Sequence, residues 1–257
     1  MSERIVLVGA GNMATTLAVA FRNAGNAPVA VWSRTPQSAS LLAERVGSSW
    51  CCDMSQLPDA DIVIISVVDS AFDTVAKAVA SKYPSALILH TAGSVPMEAL
   101  KNAGALKYGV LYPMQTVNKS NVAPLDNVTI FVEACDDDCA ARIASLASSI
   151  SGKVVYATTE QRSHLHVAAV FACNFPNAVY NMAAEILEKH GLPFDSMLPL
   201  IDEAARKVHK MHPLQAQTGP ARRGDSNVME SHKSILDEEL SSIYSILSDY
   251  ILRRNNI

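Results

Sequence analysis

Polar side chains that can bind and protonate a substrate open one long helical stretch of this chain. Arg162 and His166 are four residues apart and therefore share a helix face, and Asn174 lies two turns beyond His166 on the same stripe. A cation beside an imidazole suits an anionic or carbonyl substrate. We expect His166 to exchange a proton, Asn174 to orient the substrate and Arg162 to bind an anionic group. The alternative is a helix start whose polar groups satisfy one another.

A second dense polar cluster runs from Gln217 to Asp225. Two arginines stand between its glycines, and guanidinium groups suit carboxylate or phosphate binding, so Arg222 is a further candidate for the anionic group. His232 follows Asp225 by seven residues and can return to the same place. The alternative is a solvated loop with ordinary surface charge.

The beginning of the chain carries a strand, a glycine turn and a helix in direct succession. Gly9 permits a tight turn, Gly11 lets the backbone approach a pyrophosphate, and Ala14 is small enough for close packing of helix against strand. The helix N-terminus then offers N–H groups and a positive dipole end to phosphates. The alternative is a plain turn between strand and helix. The residues predicted to bind a dinucleotide here are Gly9, Gly11, Asn12 and Met13.

The tip of the second predicted strand indicates which dinucleotide is preferred. A carboxylate at this position accepts hydrogen bonds from the ribose hydroxyls of NAD. This chain instead has Ser33, Arg34 and Thr35, a guanidinium between two hydroxyls, which is a good set of donors for a 2′-phosphate. We therefore expect NADP as the cofactor. The alternative is an exposed arginine at the start of a loop.

Other strand ends contribute to the same edge, because ligands of a doubly wound sheet lie outside the carboxyl ends of its strands. Ser66 and Val67 are expected under the adenosine–phosphate side of the cofactor, and His90 and Thr91 near the nicotinamide. His90 is a candidate to orient the nicotinamide or to exchange a proton with substrate. The alternative is a histidine bonded to backbone at a strand end.

Alternating strands and helices predict the fold of the first part of the chain. The pattern predicts a mostly parallel, doubly wound Rossmann domain over residues 1–156. No convincing strand follows. Residues 157–257 are expected to form an all-α domain for substrate binding and dimerisation, with a long helix over 158–190, bent at Pro176. Further helices are predicted over 193–210, over 234–254, and up to His232 with Ser226 or Asn227 as cap.

Composition narrows the classes of partner. The net charge is −4, and no basic stripe predicts binding to nucleic acid or to a membrane surface. The apolar runs are strand-length, and the chain enters a strand at once without a basic leader, so we expect a cytoplasmic protein. Five irregularly spaced cysteines fit reduced thiols. Cys135 and Cys139 bracket three aspartates, which we interpret as a helix start and not as a metal site.

These residues together resemble a known family. Over essentially its whole length the chain is similar to bacterial Rossmann-like NADP oxidoreductases with a C-terminal domain of unknown function. The resemblance implies a helical domain like those of 6-phosphogluconate dehydrogenase and pyrroline-5-carboxylate reductase, relatives that dimerise through it. The stretches that carry the resemblance are Gly9–Met13, His90–Pro96, Tyr112–Thr116, Arg162–Tyr180 and Gln217–Asp225, with His232.

Relatives with known chemistry fit only in part. Hydroxyisobutyrate-type dehydrogenases use a lysine and an asparagine four residues apart on the corresponding helix; Asn174 matches the asparagine, but Val170 stands where the lysine is required. The run from Ser163 to His166 resembles the start of this helix in prephenate dehydrogenases, with the spacing wrong by one residue. Deazaflavin-dependent NADP reductases share the first domain and lack the helical half.

The sequence therefore predicts an NADP-dependent oxidoreductase. Hydride is expected to move between the nicotinamide and a small carbonyl, imine or hydroxy acid. The alternative is a non-catalytic dimer that binds NADP(H) and reports redox state to another protein, which the missing lysine favours.

Overall fold

A single sheet organises the first part of the molecule, as the computed structural model of residues 3–255 shows. Its eight strands lie in the order β3-β2-β1-β4-β5-β6-β7-β8. The predicted Rossmann-type α/β architecture followed by a helical part is confirmed. The strands are β1 Ile5–Val8, β2 Ala30–Trp32, β3 Ser49–Cys51, β4 Ile62–Ile65, β5 Leu87–His90, β6 Lys107–Pro113, β7 Thr129–Ala134 and β8 Lys153–Tyr156.

Helices cover both faces of this sheet and then continue alone to the end of the described chain. They are α1 Asn12–Asn23, α2 Pro36–Val46, α3 Asp69–Lys82, α4 Glu98–Asn102, α5 Asp137–Ser148, α6 Thr159–Ala169, α7 Phe175–Lys189, α8 Leu198–Val208, α9 Pro213–Ala216, α10 Pro220–Arg223, α11 Ser226–Ser234 and α12 Glu238–Arg254. No described helix is long and apolar enough to cross a membrane.

Burial on both faces explains why the central strands are continuous apolar runs. Alternate side chains of β1 point to opposite layers: Ile5 and Leu7 pack with α1, α2 and α5, whereas Val6 and Val8 pack with α3 and α4. All four are essentially inaccessible to solvent. The two cores hold the carboxyl ends of the parallel strands at one edge.

One strand pair departs from the parallel pattern. β7 runs antiparallel to β6, and β8 then pairs parallel with β7 through the crossover helix α5. The connection 114–128, between β6 and β7, is anchored by Leu125, which is buried in the α1 and α5 layer. This connection therefore starts at the carboxyl edge of the sheet and passes beside α1.

The long helix predicted over 158–190 is interrupted near Pro176, as expected. The interruption is a π-helical turn. α6 ends at Ala169, residues Val170–Asn174 form the π turn, and α7 begins at Phe175. Proline removes a backbone donor and clashes with the preceding turn, and a wider turn accommodates both effects.

The chain divides into two compact units, one up to Cys173 and one from Asn174. The predicted domain boundary, after residue 156, precedes α6. Arg162 of α6 is bound to Glu133 of β7, so this helix belongs to the sheet unit and the division falls later. In the helical unit, Ala221 and Ser248 are the only buried residues among those described.

Two helix starts in the helical unit differ from the sequence prediction. Asp225, not Ser226 or Asn227, caps α11 by accepting a hydrogen bond from the Val228 backbone N–H at 3.3 Å. The last helix begins at Glu238 under an Asp237 cap, four residues later than predicted. Aspartate is a strong N-cap because its carboxylate satisfies a free N–H and favours the dipole.

Candidate active site

The glycine turn after β1 has the geometry of a phosphate cradle. Gly9 has φ +127°, and a Cβ there would lie 2.0 Å from the Ser66 carbonyl oxygen, so only glycine fits between β1 and β4. Gly11 is the N-cap residue of α1, so no side chain caps this helix. Nothing lies within 4 Å of where a Cβ of Gly11 would be. The α1 N–H groups thus face open space suited to a pyrophosphate.

The tip of β2 presents an unpaired cation. Arg34 and Thr35 are exposed, and the Thr35 N–H donates to the Ser33 hydroxyl at 3.3 Å. Within residues 3–255 the Arg34 guanidinium has neither an ion pair nor a hydrogen bond. This guanidinium is therefore free to bind an anionic ligand.

The ends of β4 and β5 are joined by side-chain hydrogen bonds. The Thr91 hydroxyl donates to the Ser66 hydroxyl at 3.1 Å, and the Ser94 hydroxyl donates to Asp69 at 2.6 Å. Ser66 and Val67 are half-buried at this edge. The two loops are thereby held at a fixed separation along the expected course of a cofactor.

His90 is enclosed, in keeping with the alternative of a histidine bonded to backbone at a strand end, and its role near the nicotinamide stays a prediction. The ring has no solvent exposure, and its Nδ1 accepts the Ala92 N–H at 3.2 Å. Burial, reinforced by the charge of Arg162 and opposed by the Pro96 carbonyl, lowers the pKa of His90 to about 3. His90 therefore stays neutral and fixes the turn that follows β5.

Arg162 is also buried, in keeping with the alternative of a helix start whose polar groups satisfy one another, and its role in binding an anionic substrate stays a prediction. Only 1% of it is exposed, and its guanidinium pairs with Glu133 and donates to the Val95 carbonyl at 2.5 Å. Glu133 also accepts hydrogen bonds from the Thr159 backbone N–H and hydroxyl. The charge is thus neutralised within the protein, and the ion pair fixes the start of α6 against β7 and the turn after β5.

His166 lies one turn beyond that anchor, in contact with Tyr112. The two side chains are joined by a hydrogen bond of 3.0 Å between His166 Nδ1 and the Tyr112 hydroxyl. The imidazole also packs on Gly93, where a Cβ would lie 2.6 Å from Nδ1, so a larger residue would displace the ring. Three separate segments, the end of β6, the turn after β5 and α6, therefore position one imidazole.

Tyr112 remains neutral near physiological pH. Burial raises the pKa of its hydroxyl, and the Arg162 charge offsets only part of that effect. A neutral phenol can donate a hydrogen bond to a bare Nδ1 of His166 or accept one from Nδ1–H, so it can hold the ring in either tautomer. Among the described residues, Nε2 of His166 has no hydrogen-bond partner, so this atom is free to meet a substrate.

The remaining predicted site residues belong to the helical unit. Asn174 is exposed at the end of the π turn, and Arg222 is exposed in α10. His232 is exposed, and its Nδ1 lies 3.0 Å from the Tyr244 hydroxyl. The roles of Asn174 and Arg222 in substrate binding stay predictions.

The cysteine-containing segment forms a helix start, as interpreted. Asp136 caps α5 by accepting the Cys139 N–H at 2.7 Å, and Asp137 and Asp138 occupy its first turn. The sulfur atoms of Cys135 and Cys139 are 3.6 Å apart. Burial, together with the neighbouring Asp136 and Cys135, raises the pKa of the Cys139 thiol to about 12.

Tyr112 and Gly93 were missed as site residues by the sequence interpretation. Tyr112 was visible only as an aromatic residue at a strand end, and Gly93 as part of a polar turn. Their proximity to His166 depends on strand order and on the Arg162 anchor, which a linear pattern does not contain.

The fold and the glycine turn together define a Rossmann-type, dinucleotide-binding protein. Comparison with known proteins gives the family. Residues 4–92 match the family model "NADP oxidoreductase coenzyme F420-dependent", and residues 128–251 match "Domain of unknown function (DUF2520)". The chain is 44% identical to the "putative NADP oxidoreductase BF3122 from Bacteroides fragilis", with 98% of each chain covered and a TM-score of 0.94. The protein belongs to this family of NADP oxidoreductases, and its cofactor is NADP.

More distant structures share the fold. A reductive aminase from Aspergillus terreus, solved with NADPH and ethyl levulinate, has 17% identity and a TM-score of 0.71, covering 98% of this chain and 94% of its own. A pyrroline-5-carboxylate reductase from Coxiella burnetii has 17% identity and a TM-score of 0.63, covering 100% and 98%. No curated protein matches the chain.

Proposed function

We propose that this NADP oxidoreductase transfers hydride between the nicotinamide and a small carbonyl, imine or hydroxy acid, and that His166 exchanges the accompanying proton. The observation that carries the proposal is the His166–Tyr112 hydrogen bond of 3.0 Å at the carboxyl ends of β5 and β6. In a doubly wound sheet this edge is where ligands bind. The reductive aminase and the pyrroline-5-carboxylate reductase of similar fold make imines the first substrates to test.

In the reductive direction, NADPH supplies the hydride. The imidazolium form of His166 donates its Nε2 proton to the oxygen or nitrogen of the reduced double bond, which leaves a neutral imidazole protonated at Nδ1, and Nε2 then regains a proton from solvent. Tyr112 is a positioning residue: it holds Nδ1 and keeps its own proton, because burial raises its pKa. Gly93 leaves the space in which the ring sits.

Replacement of the two side chains tests this assignment. His166→Gln removes the exchangeable proton, and we expect kcat for NADPH-dependent reduction to fall about 100-fold or more. Tyr112→Phe leaves the ring in place without its Nδ1 partner, and a loss of about tenfold is expected. The measurement is NADPH oxidation with a panel of cyclic imines, ketones and keto acids.

A histidine on the same helix provides the control. His164 is exposed, and its Nδ1 lies 2.9 Å from the Glu160 carbonyl, so His164→Gln should leave kcat unchanged. NADPH affinity should be equal in all three variants. A His166→Gln variant as active as His164→Gln would exclude His166 from the proton transfer.

Ser33, Arg34 and Thr35 are proposed to bind the 2′-phosphate of NADP. The support is the exposed Arg34 guanidinium at the tip of β2. Arg34→Ala should weaken NADPH binding by about tenfold to 100-fold and leave NADH binding unchanged, as measured by nicotinamide fluorescence. Arg253→Ala, at an exposed position of α12, is the control. Equal loss for both nucleotides would contradict the assignment.

A homodimer formed through the helical unit is proposed as the working state. The support is that only Ala221 and Ser248 of its described residues are buried. Large apolar side chains are exposed instead, including Leu200 at 66% and Ile246 at 65%. Ordering a residue costs about 1–2 kcal/mol, which helices with so little buried apolar surface do not recover alone. A second copy of the chain is the occupant we propose for this surface.

A further inference from the structure

The connection 114–128 contains a lysine that the backbone holds beside the glycine turn. The Lys119 backbone N–H donates to Asn12 Oδ1 at 3.2 Å, and Asn12 is the first residue of α1. On its other side, the Lys119 carbonyl accepts a hydrogen bond from Arg45 Nη1 at 2.8 Å. Lys119 is thus fixed between α1 and α2 through its main chain, which leaves its side chain uncommitted.

The local structure of the connection keeps this residue at the tip of a tight turn. Asn118 and Asn121 form an isolated antiparallel bridge, and the Ser120 N–H donates to Asn118 Oδ1 at 2.9 Å. Lys119 lies inside that turn and is exposed. Leu125, buried further along, anchors the same connection against the α1 layer. The turn therefore has a defined place beside the start of α1.

Charge at this place is unbalanced. Lys119 and Arg45 are in direct contact through the Lys119 carbonyl, yet among the described residues neither side chain has a carboxylate partner. The first turn of α1 contains no acidic residue, and its N-terminus adds a partial positive charge. Two cations and a helix N-terminus without a counter-charge suit an anionic ligand.

We propose that Lys119 binds the pyrophosphate of NADP, with Arg45 as its positioning residue. The four-carbon stem of lysine is long and flexible enough to bring the ammonium from the turn to the N–H groups of α1 where the pyrophosphate would lie. The cradle fits that group, because Gly11 faces open space. The connection 114–128 then acts as part of the nucleotide site and closes it beside Asn12.

Binding of two nucleotides distinguishes this role from that of Arg34. NADPH and NADH share the pyrophosphate and differ in the 2′-phosphate. Lys119→Met should therefore weaken the binding of both nucleotides by the same factor, about tenfold. Arg34→Ala should weaken the binding of NADPH alone. The dissociation constants come from nicotinamide fluorescence of the full-length protein, at two salt concentrations. The salt dependence should be smaller in Lys119→Met, because a screened charge contact is lost.

Matched variants complete the test. Lys77→Met, at an exposed position of α3 on the other face of the sheet, should leave the affinity for both nucleotides unchanged. Lys119→Arg should retain most of the affinity. Arg45→Met should weaken the binding of both nucleotides in the natural chain. In the Lys119→Met background the same substitution should have little further effect on either affinity. Unchanged affinity in Lys119→Met, or loss for NADPH alone, would overturn the proposal. These readouts require no turnover and are independent of the substrate and of His166.

Discussion

Three basic side chains that look equivalent in the sequence have different environments in the fold. His90 and Arg162 are enclosed, and each is satisfied in part by neighbouring backbone carbonyls or amides. His166 is half-buried, with one ring nitrogen bound to Tyr112 and the other without a partner in the described chain. Burial therefore encloses the first two side chains and leaves one ring nitrogen of the third without a partner in the described chain, a distinction that depends on long-range packing.

The enclosed His90 gives the folded state a pH dependence. Its pKa is about 3 when folded and close to 6.5 when unfolded, so the unfolded chain binds the proton more tightly between these values. The stability contributed by neutral His90 is complete above pH 6.5 and is lost as the pH falls towards 3. Between pH 7 and pH 5 the free energy of unfolding should decrease by about 2 kcal/mol from this residue alone.

Urea unfolding at the two pH values measures this effect. In His90→Gln the amide can replace the polar contacts without titrating, so the decrease between pH 7 and pH 5 should be smaller by about that amount. His209→Gln, at an exposed position after α8, should behave like the natural chain. The same pH dependence in His90→Gln would contradict a buried neutral His90.

At the scale of elements, the sequence predicted the features that depend on residues close together in the chain. The apolar runs and the glycine turn predicted β1, α1 and the order of alternating elements, because each depends on neighbours in the chain. The antiparallel direction of β7 and the short helix α4 were not predicted. Both are set by how the chain returns to the sheet, and α4 has too few residues for a periodic pattern.

The start of α6 is an element whose stability is testable. Thr158 and Gln161 form a reciprocal capping box, with hydrogen bonds of 2.9 and 3.2 Å between side chain and backbone. Thr158→Ala should lower the free energy of unfolding by about 1 kcal/mol. Ser85→Ala, in an exposed loop, is the control. The measurement is thermal unfolding of both variants. If Thr158→Ala unfolds at the same temperature as Ser85→Ala, the cap contributes nothing to stability.

At the scale of the whole molecule, the two units differ in how much they bury. The sheet unit has two extensive cores, whereas nearly all apolar side chains of the helical unit are half-buried or exposed. The sequence predicts an all-α second part for substrate binding and dimerisation. The sequence does not indicate which apolar side chains of this part are buried, because burial depends on contacts between residues that are far apart in the chain.

Sedimentation equilibrium tests the proposed dimer. The natural chain should sediment as a dimer at micromolar concentration. Leu200→Glu, which introduces a charge on exposed α8, should shift it towards monomer. Leu106→Glu, at an equally exposed apolar position of the sheet unit, should remain dimeric. A monomeric natural chain would contradict the proposal.

The central claim is that the protein transfers hydride and that His166 supplies the proton. The most direct test incubates it with NADPH deuterated at the transferable position and the imine and carbonyl panel, followed by mass spectrometry of the products. We predict a product one deuterium heavier, formed by the natural chain and by His164→Gln but about 100-fold more slowly by His166→Gln. Tight NADPH binding without deuterium in any product would contradict the claim and favour a protein that binds the nucleotide without reacting it.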